Sequence, residues 1–172
     1  MIEQKPGLGH VTVDGEFATM TFERTYPHPI EDVWRAITEP EELASWFMTK
    51  GMIHGGTGGT VDFVSGPSEF HITGTILAWE PPHLFEHEWN VAPRTGLPKG
   101  EQAFVRWELT DVGGKTLVKM VFRHLHSGTA GGFVSGTHAF LDRLGAQLDG
   151  EALPDWIGLV QELRKEYGGP RR

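Results

Sequence analysis

The hydrophobic pattern changes period several times along the chain, and those changes mark its elements. In "EFATMTFERTY", Ala18, Met20 and Phe22 share one parity while Thr19, Thr21 and Glu23 share the other, the signature of a strand with one buried face. Ahead of it, residues 1–15 are glycine-rich and predict a flexible segment that ends at the Asp14-Gly15 turn. "PIEDVWRAITEPEELASWFM" is helical instead. Pro29 suits a first helical position, Glu31 and Asp32 meet the positive end of the helix dipole, and Val33, Trp34, Ala36 and Ile37 form an apolar face. Thr38 and Glu41 bracket Pro40 in the spacing of a capping box, which predicts a second short helix carrying Leu43, Trp46 and Phe47.

Alternation then returns. "TVDFVS" puts Val61 and Phe63 on one side, and "FHITGTILAWEPP" reads as a longer strand stopped by Pro81-Pro82. "HLFEHEW" sets Phe85, His87 and Trp89 against Leu84, Glu86 and Glu88. Around the turn at 111–114, "AFVRWEL" offers Val105, Trp107 and Leu109, and "KTLVKMVFRHLH" offers Val118, Met120, Phe122 and His124. After a loop, "SGTAGG", Phe133, Phe140, Leu144 and Leu148 predict a long helix over 133–149 with Gly150 as its cap. The predicted class is α+β: a curved antiparallel sheet of about six or seven strands wrapped on the long C-terminal helix, with two short helices after the first strand. Residues 16–150 make the domain, and 151–172 form an extension containing a short helix, "PDWIGLVQELRKEY".

Composition narrows the possible partners. With 172 residues the chain fits one domain with a sizeable core. A net charge of -8 argues against nucleic acid, which needs a concentrated basic footprint, and against anionic membranes. The chain has no cysteine, so disulfides, thiolate metal sites and a cysteine nucleophile are excluded, which fits a reducing cytoplasm. No stretch reads as a signal peptide or reaches the ~18 apolar residues of a membrane helix. The expected location is cytoplasmic, and monomer and homodimer both stay open.

Nine histidines are the most conspicuous candidate chemistry. His87 and His124 share the predicted inner face, with His126 and His138 near the sheet–helix junction. Converging imidazoles hold Zn²⁺, and a single one can serve as a general base. No HExxH-like spacing accompanies them, so hydrogen-bonded histidines are the stronger reading, with no metal and no cofactor expected. Glu86, Glu88, Glu101 and Asp142 read as surface carboxylates, and Arg24 as a salt-bridge partner at a strand end. No serine sits in a nucleophile elbow, and "GGTGGT" lacks the Gly-Lys-Ser/Thr of a phosphate loop. No catalytic residue is assigned.

What remains is an apolar surface. Phe63, Phe85, His87, Trp89, Val105, Trp107, Met120, Phe122 and His124 from the strands face Phe133 and Phe140 of the long helix, with Trp46 and Phe47 beside them. Met and aromatic walls suit a flat apolar ligand, and a filled core is the equal alternative. A ligand-binding reading calls for a cavity of at least ~300 Å³ on that face. For Trp46 and Phe47, core packing is favoured over a lid on the cavity mouth.

The pieces "ERTYPHPIEDVWRAITEPEELASWF", "GTILAWEPPHLFEHEW", "FVRWEL" and "FLDRLGAQLDG", in this order, resemble the SRPBCC superfamily of START domains and birch-pollen-type allergens. Within it they are most similar to the bacterial family named after the activator of the heat-shock-protein-90 ATPase. The chain departs from that family's small-Gly-Trp opening of the last helix, carrying Thr137-His138 in that region. The resemblance implies the helix-grip fold. For function it implies a small apolar ligand bound between sheet and helix, without catalysis. It leaves two alternatives: a chaperone-partner module for a heat-shock-protein-90 homologue, and an enzyme like the aromatic polyketide cyclases.

Overall fold

Each period-2 segment with one apolar parity becomes a strand, and the apolar parity becomes the inner face. The structure, a computed structural model, describes residues 7–168. The elements run β1 (His10–Asp14), β2 (Phe17–Tyr26), α1 (Ile30–Thr38), α2 (Pro40–Trp46), β3 (Thr49–His54), β4 (Thr60–Ser65), β5 (Phe70–Glu80), β6 (Leu84–Val91), β7 (Glu101–Val112), β8 (Lys115–His126), α3 (Ser127–Leu148) and α4 (Trp156–Glu166). The fold is α+β, a helix grip in which a curved antiparallel sheet of eight strands, ordered β1-β2-β8-β7-β6-β5-β4-β3, packs on α3.

The strand count exceeds the six or seven expected because the two edges carry little pattern. β1 lies within the segment expected to be flexible, yet it pairs with β2 from His10↔Thr21 to Asp14↔Phe17. All five of its residues are exposed, so it shows no buried parity to read. β3, at the other edge, is buried only at Thr49.

The helix boundaries also moved. Thr38 does not cap α2: α1 continues through it, and its hydroxyl donates back to the Trp34 carbonyl at 2.7 Å. Glu39 takes the N-cap position in extended conformation, as the residue before a proline prefers, with Pro40 in the first turn. The "SGTAGG" loop is instead the opening of α3, since Ala130 and Val134 are buried on the sheet. Glu101, expected on the surface, is 1% exposed and sits at this helix start, where its carboxylate accepts from the His126 amide at 3.3 Å. A negative charge there meets the positive end of the helix dipole, while the Ser127 amide donates to the Glu16 carbonyl at 2.8 Å.

At the other end of α3, Gly150 adopts φ +70. Its amide donates to the Gln147 carbonyl and that of Glu151 to Ala146, the crossed bonds of a Schellman cap. α4 starts at Asp155, whose carboxylate accepts from the Gly158 amide at 2.9 Å. It packs Val160 and Leu163 around Ala139 of α3.

On the outer face of the sheet, Glu86 lies 3.7 Å from Arg106 and 3.4 Å from Arg123. Glu88 accepts from the Thr75 amide beside the irregularity in the β5–β6 pairing, and that bond holds its carboxyl below the ordinary range. These carboxylates are structural. Asp142 is half-buried and paired with Arg24 at 2.7 Å.

Candidate functional site

A curved sheet and a straight helix cannot touch along their whole length, and the gap opens where α3 is thin. Gly132 and Gly136 stand there without side chains, and a cavity of about 270 Å³ lies beneath them. That volume is slightly short of the ~300 Å³ expectation. The floor is laid by β6, β7 and β8, through Phe85, His87 and Trp89, Val105 and Trp107, Met120 and Phe122. Phe133, Thr137 and Phe140 of α3 form the roof, and Trp156, Val160 and Arg164 of α4 extend it.

Twelve of the thirteen candidate residues lie on this wall. His124 does not. Its backbone turns to φ +63, which breaks the alternation of β8 so that Leu125 points inward in its place. The β2–β8 register slips at the same level, between Ala18 and Met20. The His124 ring is thrown outward, where it stacks on Phe17 at 3.9 Å and its Nδ1–H donates to the Gln102 carbonyl at 3.0 Å.

Trp46 and Phe47 divide the two roles considered for them. The Trp46 indole is 1% exposed and donates to the Ala36 carbonyl at 2.7 Å, so it locks α2 onto α1 and presents one ring face to the cavity. Phe47 is half-buried at the rim. Its ring meets Phe140 at 4.7 Å and Phe63 at 5.9 Å, edge to face, joining α2, α3 and β4 across the opening.

His87 is the one titratable group set in the floor. It is 4% exposed, on a central strand, with its ring edge-on to Phe85. Its Nδ1 lies 2.7 Å from the Glu88 carbonyl, which can only accept, so Nδ1 carries the proton. Nε2 is then a bare acceptor on the cavity wall, with no partner among the described residues. Burial pushes the imidazole down to about 4, against the opposing pull of the Glu88 carbonyl and the Glu86 charge. The ring is neutral at physiological pH.

Sequence reasoning missed the contribution of α4. Trp156, Val160 and Arg164 recur every four residues, a stripe on one helix face that is legible in the sequence but lies in the segment expected to be an extension. It also missed Arg143, which is buried behind the cavity. Its guanidinium donates to the carbonyls of Ser45 and Trp46, both at 3.0 Å, and to that of Pro154. One side chain thus closes the end of α2 and ties it to the approach to α4. Nothing in the local pattern distinguishes this arginine from an exposed one. Among the described residues no group of three or more His, Asp or Glu is placed to hold a metal ion. No helix among them is long and apolar enough to cross a membrane.

This architecture has relatives among solved structures. The chain is similar to CalU16 from Micromonospora echinospora, with TM-score 0.70 and 22% identity over 93% of this chain and 92% of that one. It is similar also to MLL2253 from Mesorhizobium loti, with TM-score 0.65 and 25% identity over 78% and 99%. DynU16, a protein of the dynemicin biosynthetic locus, aligns with TM-score 0.56 and 24% identity over 76% of this chain and 47% of its own. The comparison with curated proteins finds no match. The family described as Activator of Hsp90 ATPase homolog 1-like protein matches residues 27–149, from just before α1 through the end of α3, and the chain belongs to that family.

Proposed function

We propose that this protein binds a small, flat, apolar molecule between the sheet and α3, without transforming it. The observation that carries the reading is the cavity, about 270 Å³ walled largely by aromatic rings and Met120 around one neutral imidazole. An apolar cavity of about 150 Å³ holds benzene, so this one accommodates roughly two fused rings. The relative encoded in the dynemicin biosynthetic locus supports a small molecule as occupant.

A catalytic reading is weaker. His87, held near 4, is a poor base at neutral pH, and no carboxylate stands on the wall to pair with it. The family's description favours a second reading, a chaperone partner, which would use the exterior of the fold. Flat calorimetry against an Hsp90 homologue at high concentration would dispose of it.

The binding reading is tested by a thermal-shift screen across apolar acids, sterols, flavonoids and polyketides. A true ligand at 100 times its Kd adds about 2.7 kcal/mol of native stability. The expected result is a graded, saturable rise in Tm for one compound class. No rise with any class would sink the proposal.

A further inference from the structure

The cavity is not uniformly apolar, and its two charged or hydrogen-bonding extremes differ in kind. In the floor, His87 offers only a lone pair, since its proton is committed to the Glu88 carbonyl. On the α4 side, Arg164 reaches the cavity from an exposed position. Among the described residues nothing answers its charge. The helical neighbours three and four residues away are Val160, Gln161, Tyr167 and Gly168, none of them acidic. No hydrogen bond or ion pair engages its guanidinium among the described residues. In a chain with 23 acidic and 15 basic residues, an arginine unpaired among the described residues beside an aromatic cavity is conspicuous.

A ligand that satisfies both extremes needs a hydrogen-bond donor at its buried end and an anion at its outer end, with a flat apolar body between. Guanidinium matches a carboxylate in geometry as well as charge, because its N–H groups form a planar fork. Resting on the binding reading above, we propose that the occupant is a hydroxylated aryl carboxylic acid. Its rings lie against Trp89, Trp107 and Phe133, its hydroxyl donates to His87 Nε2, and its carboxylate meets Arg164. The neutral imidazole accepts the hydroxyl proton as a hydrogen bond and takes no charge, so the sole formal charge pair forms at the mouth. There, water remains near both groups and desolvation costs little.

The test is calorimetric titration of the full chain with 6-hydroxy-2-naphthoic acid, its methyl ester, and 2-naphthoic acid. At low salt the hydroxy acid should bind about fivefold more tightly than its ester, the scale of a solvent-exposed ion pair. That margin should shrink with added salt. Removing the hydroxyl should weaken binding by about tenfold, the scale of one hydrogen bond with a buried partner. In Arg164→Gln the acid should fall to the affinity of the ester while the ester itself is unchanged; the position is exposed, so folding is not at stake. Equal binding of acid and ester to the native protein, or an acid preference that survives Arg164→Gln, overturns the acid assignment and leaves the cavity reading standing. If none of the three probes binds, the acid assignment falls, and the thermal-shift screen across the other compound classes decides the cavity reading separately.

Discussion

His87 has one proton to give and has given it to the backbone, and this sets how stability responds to pH. Its folded pKa, about 4, lies below the ordinary 6.5, so between those values the unfolded chain holds a proton that the native one refuses. The contribution is fully present above pH 6.5 and is lost as pH falls towards 4, on the order of 3 kcal/mol in all. Urea unfolding at pH 7 and pH 4.5 should show a smaller loss for His87→Leu than for the native chain; equal losses would mean the ring is hydrated or protonated in place. Arg143 makes a different kind of demand. Leucine there would leave the carbonyls of Ser45, Trp46 and Pro154 without their donor. The expected cost is about 3 kcal/mol in unfolding free energy. Arg143→Lys should recover only part of it, since a point-like ammonium cannot reach three carbonyls through a fork. A cost below about 0.5 kcal/mol for Arg143→Leu would show that water replaces the side chain freely.

At the scale of elements, α3 decides the size of the cavity. Thr137 faces into it between Phe133 and Phe140. Thr137→Leu should fill part of the space, raise the stability of the free protein by about 1 kcal/mol and weaken any cavity ligand. A melting curve with and without ligand checks both, and unchanged affinity would place the ligand elsewhere. The inner strands were legible because one buried parity per strand leaves an alternating trace, as in Phe85, His87 and Trp89. β1 escaped notice because a strand exposed on both faces has no reason to alternate. His124 misled because parity assumes unbroken extension, and one residue at φ +63 reverses every side chain after it. Glu101 misled for another reason: its partner amide belongs to a helix start 25 residues away, a pairing that local pattern cannot encode. In the same way, α4 showed its stripe but not which surface the stripe would meet.

 Across the whole molecule, strand order could be anticipated only in part. The run from β3 to β8 follows hairpin spacing, while β2 joins beside β8, from Phe17↔His126 to Tyr26↔Thr116, only once the sheet has curved. That closing contact joins segments about a hundred positions apart, and no local periodicity announces it. The same long-range closure recurs at the ends of the described chain. The Gly9 amide donates to the Tyr167 hydroxyl at 2.7 Å, and that hydroxyl lies 2.7 Å from His138 Nδ1. Start and finish therefore meet on the back of α3, far along the chain but adjacent in space. A short flexible linker could join them, and the order of the segments would then become a matter of choice. The β7–β8 turn is the place to reopen the chain, because Gly113 and Gly114 are exposed and a Cβ at either would meet nothing within 4 Å. Such a circular permutant, beginning at Gly114 and ending at Gly113, should fold to the same sheet and keep its ligand. Circular dichroism and a binding titration would check it, and a permutant that stays unfolded would show that the β7–β8 hairpin must be continuous for the sheet to close.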